Sequence, residues 1–522
     1  MIIDFTLNSL KLPGLENYTP PFGTKCADNV GLSTEDGCNN WVIPLAAQRP
    51  VSVAENSATS GNIERHSAVN MTTSGTTLTL TDGAFLGVKV EVYCTAASGS
   101  VSVICGAFTY TVAAGSKLTL TWDGSIWQNS SNDRNCLTYE FARWLKFDFT
   151  DANRQSVVIR KNTHIPLEVN GARRWLHIDA DTSFDLSSAI SAAATAAATR
   201  PGEANGRDFY IYLVPDGTGV KLTVSTLDTA PSDIDASYTT SNTKKIGQFH
   251  TLCANAGSLV ATVPAANGTV LVGDNYLVKN YDQETDPDFY DFYNKSVSAV
   301  ASNAIYDTLT VAHPLSGFTA GQILPESVWC LSFKPHCNPD GMMYDKDDDM
   351  AIDIYLQSGT GRNTRSAYGA NTTRTRQQEN HQADMNAVGK LLISDEEFTS
   401  AALGSNEKTN IAGSVESSVT TAGGHVDTAS RRMISIIGCE DMCGAIWQWL
   451  RNVSANGGSN YTTYDGVGNF GLTYGASNAL NAGGHWSSGA SCGSRCRNAT
   501  SARSVAGAGS GARGVSRVIR GQ

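Results

Sequence analysis

The C-terminal segment 466–522 constrains the fold of this chain more than any other feature, because arginine is its only charged residue type. The segment holds six arginines, at positions 495, 497, 503, 513, 517 and 520. A solvated basic tail is one interpretation, but such tails normally mix Lys with Arg and lack Trp and Cys. Because these arginines lie among Gly, Ser, Ala and Cys, the pattern favours buried, bidentate structural arginines.

Composition limits the class of protein to a large folded chain. Its 522 residues are 41% hydrophobic and 17% charged, which excludes a disordered acidic protein and a coiled coil. A net charge of −11 argues against nucleic acid as a partner. No apolar run reaches the roughly 18 residues of a membrane span, so no membrane insertion is expected.

The N-terminus and the cysteines predict where the chain folds. The start of the sequence carries Asp4 and no basic region, so it does not resemble a secretory signal. With no such signal, the 12 cysteines indicate a protein that is made and folded in a reducing cytoplasm.

The pattern along the chain predicts an α+β multidomain protein in three parts. Residues 1–135 alternate apolar and polar residues and predict a β-rich attachment or trimerisation module. Residues 136–310 mix strand patterns with one Ala-rich helix and predict an α+β middle domain. Residues 311–522 are irregular and rich in Gly, Ser, Asn and Trp, which is typical of a domain built largely from loops.

Three segments predict helices. Residues 185–200 form an Ala-rich stretch with Asp185 or Ser183 as the N-cap and Pro201 as the stop. Residues 394–403 begin with Ser394 and Glu397, the spacing of a capping box. The apolar spacing in residues 439–453 predicts a third helix.

The acidic run 344–356 is the only candidate for a metal site outside the cysteines. Asp345, Asp347 and Asp349 have the alternate spacing of a calcium loop, but Met350 and Leu356 replace the Gly and Glu of an EF-hand. A structural calcium ion or a solvated turn are the two interpretations. No other cofactor is expected.

Four cysteines form two pairs with C-x3-C spacing, Cys439/Cys443 and Cys492/Cys496. Zinc ligands more often follow C-x2-C spacing, so packing or a late-formed disulfide competes with a metal site. A thiol–imidazole pair at His250 and Cys253 is a further alternative, although a buried structural histidine fits better.

No sequence motif predicts an enzyme. Residues 489–493 match G-x-S-x-G, but the strand before and the helix after a nucleophile elbow are missing from the pattern. Metalloprotease, Walker A and dinucleotide-binding motifs are absent from the sequence. We therefore expect a binding protein with no catalytic residues.

Two segments, GCEDMCGAIWQWL at 438–450 and AGGHWSSG…CGSRCRN…ARS…GARG at 482–514, carry a family resemblance. Together they resemble the C-type lectin domain of the formylglycine-generating-enzyme type, as found in the variable proteins of diversity-generating retroelements. ILPESVWCLSFKP at 323–335 fits the same pattern, so the resemblance covers about residues 311–522.

The resemblance implies that a template repeat randomises chosen codons, chiefly Asn codons, near the 3′ end of the gene. The implied variable, ligand-binding positions are His485, Ser487, Ser488, Ala490, Ser491, Thr500, Ser501, Val505, Gly507, Gly509 and Ser510. The implied framework is Trp447, Trp449, Gly484, Trp486, Arg495, Arg497, Arg503 and Arg513. Framework side chains would keep the backbone fixed while the small residues between them change.

The resemblance also implies a function and partners. The chain would be a receptor-binding protein of a phage or prophage virion, on a tail fibre or another surface appendage, that binds a host cell-surface protein or glycan. It would act as a homotrimer and attach to other virion proteins through its N-terminal module. A capsid decoration protein is one alternative. An oxidase using Cys492/Cys496 is another, although their spacing departs from the enzyme's cysteine pair.

Overall fold

A computed structural model describes the chain in two parts. Before residue 130 it describes residues 29–33, 40–44, 51–53, 67–71, 73–80, 89–105, 108–122 and 127–129. After that it describes residues 143–520, apart from 162, 171, 179, 218, 278–286, 456–460, 464–471 and 476. The chain divides into two compact units, Met1–Cys136 and Leu137–Gln522.

The first unit is built from strands wherever it is described, as the alternating pattern predicts. The strands are β1 (Asn29–Ser33), β2 (Asn40–Pro44), β3 (Val51–Val53), β4 (Ser67–Met71), β5 (Thr77–Leu80), β6 (Lys89–Cys94), β7 (Ser100–Cys105), β8 (Phe108–Ala113), β9 (Lys117–Trp122) and β10 (Trp127–Asn129). They form a five-stranded sheet in the order β10-β9-β6-β4-β3, a three-stranded sheet β5-β7-β8 and the pair β1-β2.

The described residues at the start of the second unit form twelve strands and two helices. The strands are β11 (Leu145–Phe147), β12 (Ser156–Ile159), β13 (Thr163–Val169), β14 (Ala172–Ile178), β15 (Thr182–Asp185), β16 (Asp208–Asp216), β17 (Gly219–Ser225), β18 (Lys244–His250), β19 (Val260–Ala266), β20 (Asn275–Leu277), β21 (Asn294–Ser302) and β22 (Tyr306–Ala312). The helices are α1 (Ser187–Ala196) and α2 (Pro287–Tyr293).

The remainder of the second unit consists of short strands and two short helices. The strands are β23 (Trp329–Cys330), β24 (Phe333–Pro335), β25 (Met342–Asp345), β26 (Met350–Asp353), β27 (Gln357–Ser358), β28 (Arg365–Ser366), β29 (Leu391–Leu392), β30 (Trp447–Ser454), β31 (Tyr461–Thr463), β32 (Leu472–Tyr474), β33 (Asn478–Gly483), β34 (Gly493–Ala502), β35 (Ser510–Gly511) and β36 (Gly514–Arg520). The helices are α3 (Gln378–Asn386) and α4 (Asp395–Ala401), and four 3-10 turns lie at Pro325–Ser327, Gly361–Asn363, Glu416–Val419 and Gly489–Ser491.

A nine-stranded sheet joins the early and late parts of the second unit. Its path is β17-β16-β18-β23-β24-β36-β26-β25, with β29 also paired to β36. One hydrophobic core runs from Leu145 to Val515, so residues 137–310 and 311–522 pack together. The three-part division stays a prediction, and in place of an even α+β mixture the described residues are mostly β strands with few helices.

The remaining sheets of the second unit are small. β19-β22-β21-β20 and β34-β33-β30-β35 are four-stranded, β11-β12-β15 is three-stranded, and β13-β14, β27-β28 and β31-β32 are pairs. The sheet β34-β33-β30-β35 and the loops that join its strands carry the positions that the sequence analysis marks as variable.

Two of the three helices expected from the sequence form. α1 spans Ser187–Ala196, shorter than expected, and Leu186 rather than Asp185 or Ser183 takes the N-cap position. α4 begins with the expected capping box, in which Ser394 accepts from the Glu397 N–H and the Glu397 side chain accepts from Ser394. The box fixes the end of the helix that faces β34.

The helix expected at 439–453 is wrong. Residues 447–454 are strand β30, and the residues before it turn irregularly, with Asp441 at φ +57° and Gly444 at φ +76°. A side chain at Gly444 would lie 2.6 Å from the Thr409 carbonyl, so the chain there is held by close packing rather than by helical hydrogen bonds. Apolar spacing alone does not distinguish the two structures.

The acidic run at 345–349 is the turn of the hairpin β25-β26. Asp345 is buried at the end of β25, and its carboxylate accepts from the Asp347 N–H at 3.2 Å. Asp349 has φ +53° and accepts from the Tyr344 hydroxyl at 3.1 Å. In the described parts of the chain, no group of three or more His, Cys, Asp or Glu side chains is arranged to hold a metal ion.

Among the described helices, none is both long and apolar enough to cross a membrane.

Candidate functional site

Two loops that join strands of the sheet β34-β33-β30-β35 carry most of the expected variable positions. The first loop, residues 484–492, joins β33 to β34, and the second loop, residues 503–509, joins β34 to β35. The sheet holds both loop ends in register, because Gly483 pairs with Gly493 across β33 and β34, and Trp447 pairs with Ser510 across β30 and β35. The second loop starts at the Asn478/Ala502 end of the sheet and ends beside the first loop, where a Cβ at Gly509 would lie 3.3 Å from the His485 ring.

Side-chain exposure separates the expected variable positions into three groups. The exposed ones are Ser487, Ala490, Ser491, Thr500 and Val505, and the half-buried ones are His485, Ser488, Ser501, Gly507 and Gly509. Ser510 differs, because only 9% of it is exposed and its strand pairs with β30. A larger side chain at Ser510 would have to displace this packed strand, so the structure does not place that residue on the surface.

Arg513 is the deepest charged residue behind the loops and is fully buried. Its guanidinium donates to the carbonyls of Asp353 at 2.5 Å, Ile354 at 2.7 Å and Glu440 at 2.5 Å, and to Gln448 Oε1 at 3.0 Å. All three nitrogens of the side chain are used, which is the buried structural role that the sequence analysis expects. Arg513 thus connects β26, the 440 turn and β30.

The three tryptophans of the expected framework differ in depth. Trp449 is fully buried, whereas Trp447 and Trp486 are half-buried at the base of the loops. The His485 ring stacks on Trp486 with centroids 5.0 Å apart and meets Trp447 edge-on at 6.3 Å. The two tryptophan rings therefore pack against the His485 side chain of the first loop. His485 is part of this stack and is also partly exposed to solvent.

The other expected framework arginines also differ in exposure and in the number of their partners. Arg497 pairs with Asp395 at the start of α4, donates to Thr399 Oγ1 at 2.6 Å and lies over the Phe398 ring at 4.9 Å. Arg503 donates to Gln378 Oε1 at 3.0 Å. Arg495 is different, because it is exposed and makes no hydrogen bond or ion pair within the described residues.

The backbone of the first loop is held from outside by groups that do not depend on its side chains. The Lys408 N–H donates to the Cys492 carbonyl at 2.9 Å, and the Asn410 side-chain amide donates to the Trp486 carbonyl. Lys408 has φ +58°, a conformation that non-glycine residues rarely adopt, so its backbone is itself firmly constrained. Exchange of an exposed side chain in the loop leaves both bonds intact.

The second loop is held in the same way. The Thr375 N–H donates to the Gly507 carbonyl at 3.3 Å, and the Trp447 N–H donates to the Gly509 carbonyl at 2.9 Å. Thr375 also has a positive φ, +57°. Both loops are therefore fixed through main-chain carbonyls, which every amino acid supplies.

Two glycine substitutions test whether tightly packed loop positions stabilise the fold more than exposed loop positions do. A Cβ at Gly484, which has φ +83°, would lie 2.8 Å from Cys492 Sγ, whereas a Cβ at Gly507 meets nothing within 4 Å. We expect Gly484→Ala to lower the free energy of unfolding by about 1–3 kcal/mol. Gly507→Ala should change it by less than about 1 kcal/mol. Urea unfolding of the two variants checks this, and an equal loss in both would contradict it.

The four paired cysteines are free thiols in the structure, and all except half-buried Cys496 are buried. Burial raises the pKa of Cys492 to about 11 and also raises that of Cys443 and Cys496. At neutral pH these side chains are therefore protonated, the unreactive form of a thiol. The geometry does not favour a thiolate-based oxidase at this position.

Two patterns that the sequence analysis rejects as catalytic have other contacts in the structure. Residues 489–491 form a 3-10 turn, and His485 Nδ1 lies 3.3 Å from Ser487 Oγ and 3.2 Å from Ser488 Oγ instead of contacting Ser491. His250 contacts Asp208 at 2.8 Å and Tyr355 at 3.0 Å, so it is a satisfied buried histidine.

Cys253 makes no pair with that histidine. Its thiol donates to Glu440 Oε1 at 3.4 Å, and burial raises the pKa of the thiol. The expected preference for a structural His250 therefore agrees with the observed contacts.

Asp340 forms a half-buried pair of carboxylates with Asp208. Asp340 accepts from the Tyr210 hydroxyl at 2.9 Å and from Gln248 Nε2 at 3.1 Å, while Asp208 accepts from the Gly341 N–H at 2.8 Å. Burial, and then the charge of Asp208, raise the pKa of Asp340 to about 6. The two carboxylates repel each other when both are ionised.

The pH dependence of stability should report this pair. The folded state binds the Asp340 proton more tightly than the unfolded state does, because the pKa of Asp340 is raised on folding. The stabilisation from the protonated Asp340 carboxyl is therefore complete below about pH 4 and is lost as the pH rises through about 6. We expect Asp340→Asn to remove about 1–2 kcal/mol of the loss in unfolding free energy between pH 5 and pH 8. Asp216→Asn, at an exposed site, should leave that loss unchanged. The same slope in wild type and Asp340→Asn would contradict the assignment.

Comparison with known proteins connects this architecture to one class of protein. Residues 154–274 match the family model described as Mtd second domain. A search of curated proteins found no match.

The chain is thus similar to the major tropism determinant of phage, which is itself a variable protein of the kind that the C-terminal motifs resemble. The Major Tropism Determinant U1 variant has a solved structure that is 22% identical and gives a TM-score of 0.49, over 77% of this chain and 92% of that chain. For the I1 variant the identity is 21% and the TM-score 0.47, over 77% and 92%.

The family match lies in a segment for which the sequence analysis found no resemblance. The expectation of similarity to this class of protein is confirmed, but through the strands β12–β19 and helix α1 rather than through the C-terminal motifs. The sequence did not reveal Lys408, Thr375 or Asn410: the first two donate through the main chain, which leaves no residue-type signal, and the Asn410 amide is far from the loops along the chain.

Proposed function

We propose that the chain is a receptor-binding protein of a phage or prophage virion, in which the two loops bind a host cell-surface ligand. The single observation that carries the proposal is that both loops are anchored through main-chain carbonyls by donors outside them. Their exposed side chains can therefore change without loss of the fold. Similarity to a protein named for tropism supports the link to host choice.

The same arrangement fits diversification by a retroelement. Ser487, Ala490, Ser491, Val505 and Gly507 form the proposed variable surface, since all five lie in the loops and none is buried. Arg513 and Trp449 behind them form the constant support, within a C-type lectin-like domain. Substitutions at exposed positions usually change stability by no more than about 0.5 kcal/mol, so many sequences can occupy such a surface.

The small side chains now present predict modest affinity for each copy. Ser and Ala provide little apolar area, and binding energy usually depends on a few large anchors. Three copies in a homotrimer, repeated on the virion, would raise the overall affinity through effective concentration. The first unit, with its two described multi-stranded sheets, is the proposed attachment to other virion proteins.

A selection experiment with the full-length chain tests the proposal. The five surface positions are randomised together, and the library is selected against three unrelated soluble proteins. A matched library randomises five buried positions of the same domain, Trp449, Gln448, Asn481, Ala482 and Arg513. We expect most members of the first library to be soluble and to yield ligand-specific binders, and few members of the second to be soluble.

Failure to obtain binders from a soluble first library would contradict the proposed function. A mostly insoluble first library would contradict the anchoring of the loops. The gene provides a second test, because a near-copy of its 3′ end should carry Asn codons at the surface positions, beside a reverse transcriptase gene. Mismatches at Trp486 or Arg513 instead would reverse the assignment of variable and framework residues.

A further inference from the structure

The first loop is bordered by two exposed cations, Lys408 and Arg495. We propose that they form a constant cationic flank that binds carboxylates on an acidic protein ligand. This inference rests on the proposed function and adds to it the chemical class of the ligand. The proposed variable positions do not include either residue.

The position of Lys408 is fixed by the loop itself. Its N–H donates to the Cys492 carbonyl at 2.9 Å, and its backbone is held at φ +58°. The side chain is exposed. Arg495 follows Cys492 by three positions and is also exposed, so both cations border the C-terminal end of the loop.

Neither cation forms a salt bridge within the described residues. Glu407, which precedes Lys408 in the chain, already accepts from the Ser494 N–H at 3.1 Å and from the Ser494 hydroxyl at 2.5 Å. Burial raises the pKa of Glu407, while the hydrogen bonds from Ser494 and the charges of Arg431 and Arg495 oppose that rise. A side chain at Gly493 would lie 2.1 Å from Glu407 Oε2, so this carboxylate is packed against the start of β34.

The charge contrast indicates what kind of ligand group the flank selects. The chain carries a net charge of −11, yet residues 466–522 contain arginine as their only charged type. A guanidinium presents donors in a fork that matches carboxylate geometry, and a lysine adds a nearby point charge. Attraction to carboxylates would be common to all versions of the site, while the variable side chains discriminate among ligands.

A protein ligand fits the distribution of the exposed positions. They lie on both loops and on the flank, and a protein can contact all of these at once. The rim of a protein interface is polar and solvent-accessible, which suits two exposed cations. We therefore assign the carboxylates to Asp and Glu side chains of the partner.

The test uses the full-length protein on a sensor surface with poly-L-glutamate as the probe. Lys408→Gln/Arg495→Gln should weaken binding at 50 mM NaCl by about fivefold or more. The control Lys161→Gln/Lys221→Gln removes two exposed cations of the middle part, one between β12 and β13 and one on β17, and should change binding by less than about twofold. Raising the salt to 200 mM should shrink the difference between wild type and the first variant.

Each alternative outcome overturns a separate part of the inference. No binding of poly-L-glutamate by wild type, or equal losses in both variants, would contradict the flank. Equal affinity of wild type for hyaluronate or dextran sulfate would contradict the assignment to a protein ligand. The library selection leaves Lys408 and Arg495 unchanged and uses other probes, so failure of the flank and failure of the proposed function are distinguishable.

Discussion

Replacing Arg513 with Met should destabilise the chain by about 3–5 kcal/mol, enough to leave most of it insoluble. The substitution removes the donor that satisfies three buried carbonyls and the Gln448 side chain. Buried acceptors without a donor lose their hydrogen bonds with no water to replace them. Soluble yield and urea unfolding of the variant measure the effect.

Arg517→Met is the matched control. Arg517 lies on the same strand, β36, but its side chain is exposed. We expect the free energy of unfolding of the Arg517→Met variant to stay within about 0.5 kcal/mol of wild type. If the two variants were equally stable, Arg513 would not be the support that connects β26, the 440 turn and β30.

Trp449→Ala should have the second largest effect, a loss of about 3–5 kcal/mol in the free energy of unfolding. Trp449 is fully buried against Met385, Leu392, Ala479 and Ala512, so its removal leaves a cavity among α3, β29 and β33. Differential scanning calorimetry measures the loss without relying on tryptophan fluorescence.

Trp447→Ala provides the comparison on the same strand. Trp447 is half-buried, and the bond that it contributes to the second loop comes from its backbone N–H, which alanine retains. We expect a loss of about 1 kcal/mol. A larger loss at Trp447 than at Trp449 would mean that the loops depend on the ring stack more than on main-chain bonds.

The sequence predicted which residue types lie behind the loops better than it predicted where each of them lies. The segment 466–522 has arginine as its only charged residue type, and this composition is not typical of a solvated tail. It correctly indicated that Arg513 is buried. The same reasoning did not identify Arg495 as exposed, since composition does not show which face of β34 a side chain occupies. Helix 439–453 was wrong for a similar reason: its apolar spacing fits a helix, but close contact at Gly444 and the pairing of β30 with β33 determine the structure.

The contacts that hold the loops could not be predicted from the sequence. Lys408, Thr375 and Asn410 are far from the loops along the chain, and two of them act through the backbone N–H. Such a donor is the same in nearly every amino acid, so residue type carries no information about it. Only the fold brings these groups to the carbonyls of Cys492 and Gly507.

The central claim is that the loops keep their structure whatever side chains they expose. The most direct test replaces Ser487, Ala490, Ser491, Val505 and Gly507 with Asn together in the full-length chain and measures the free energy of unfolding in urea. We predict a value within about 1 kcal/mol of wild type and an unchanged far-ultraviolet spectrum. A loss above about 3 kcal/mol would show that these side chains support the fold, and would contradict the account.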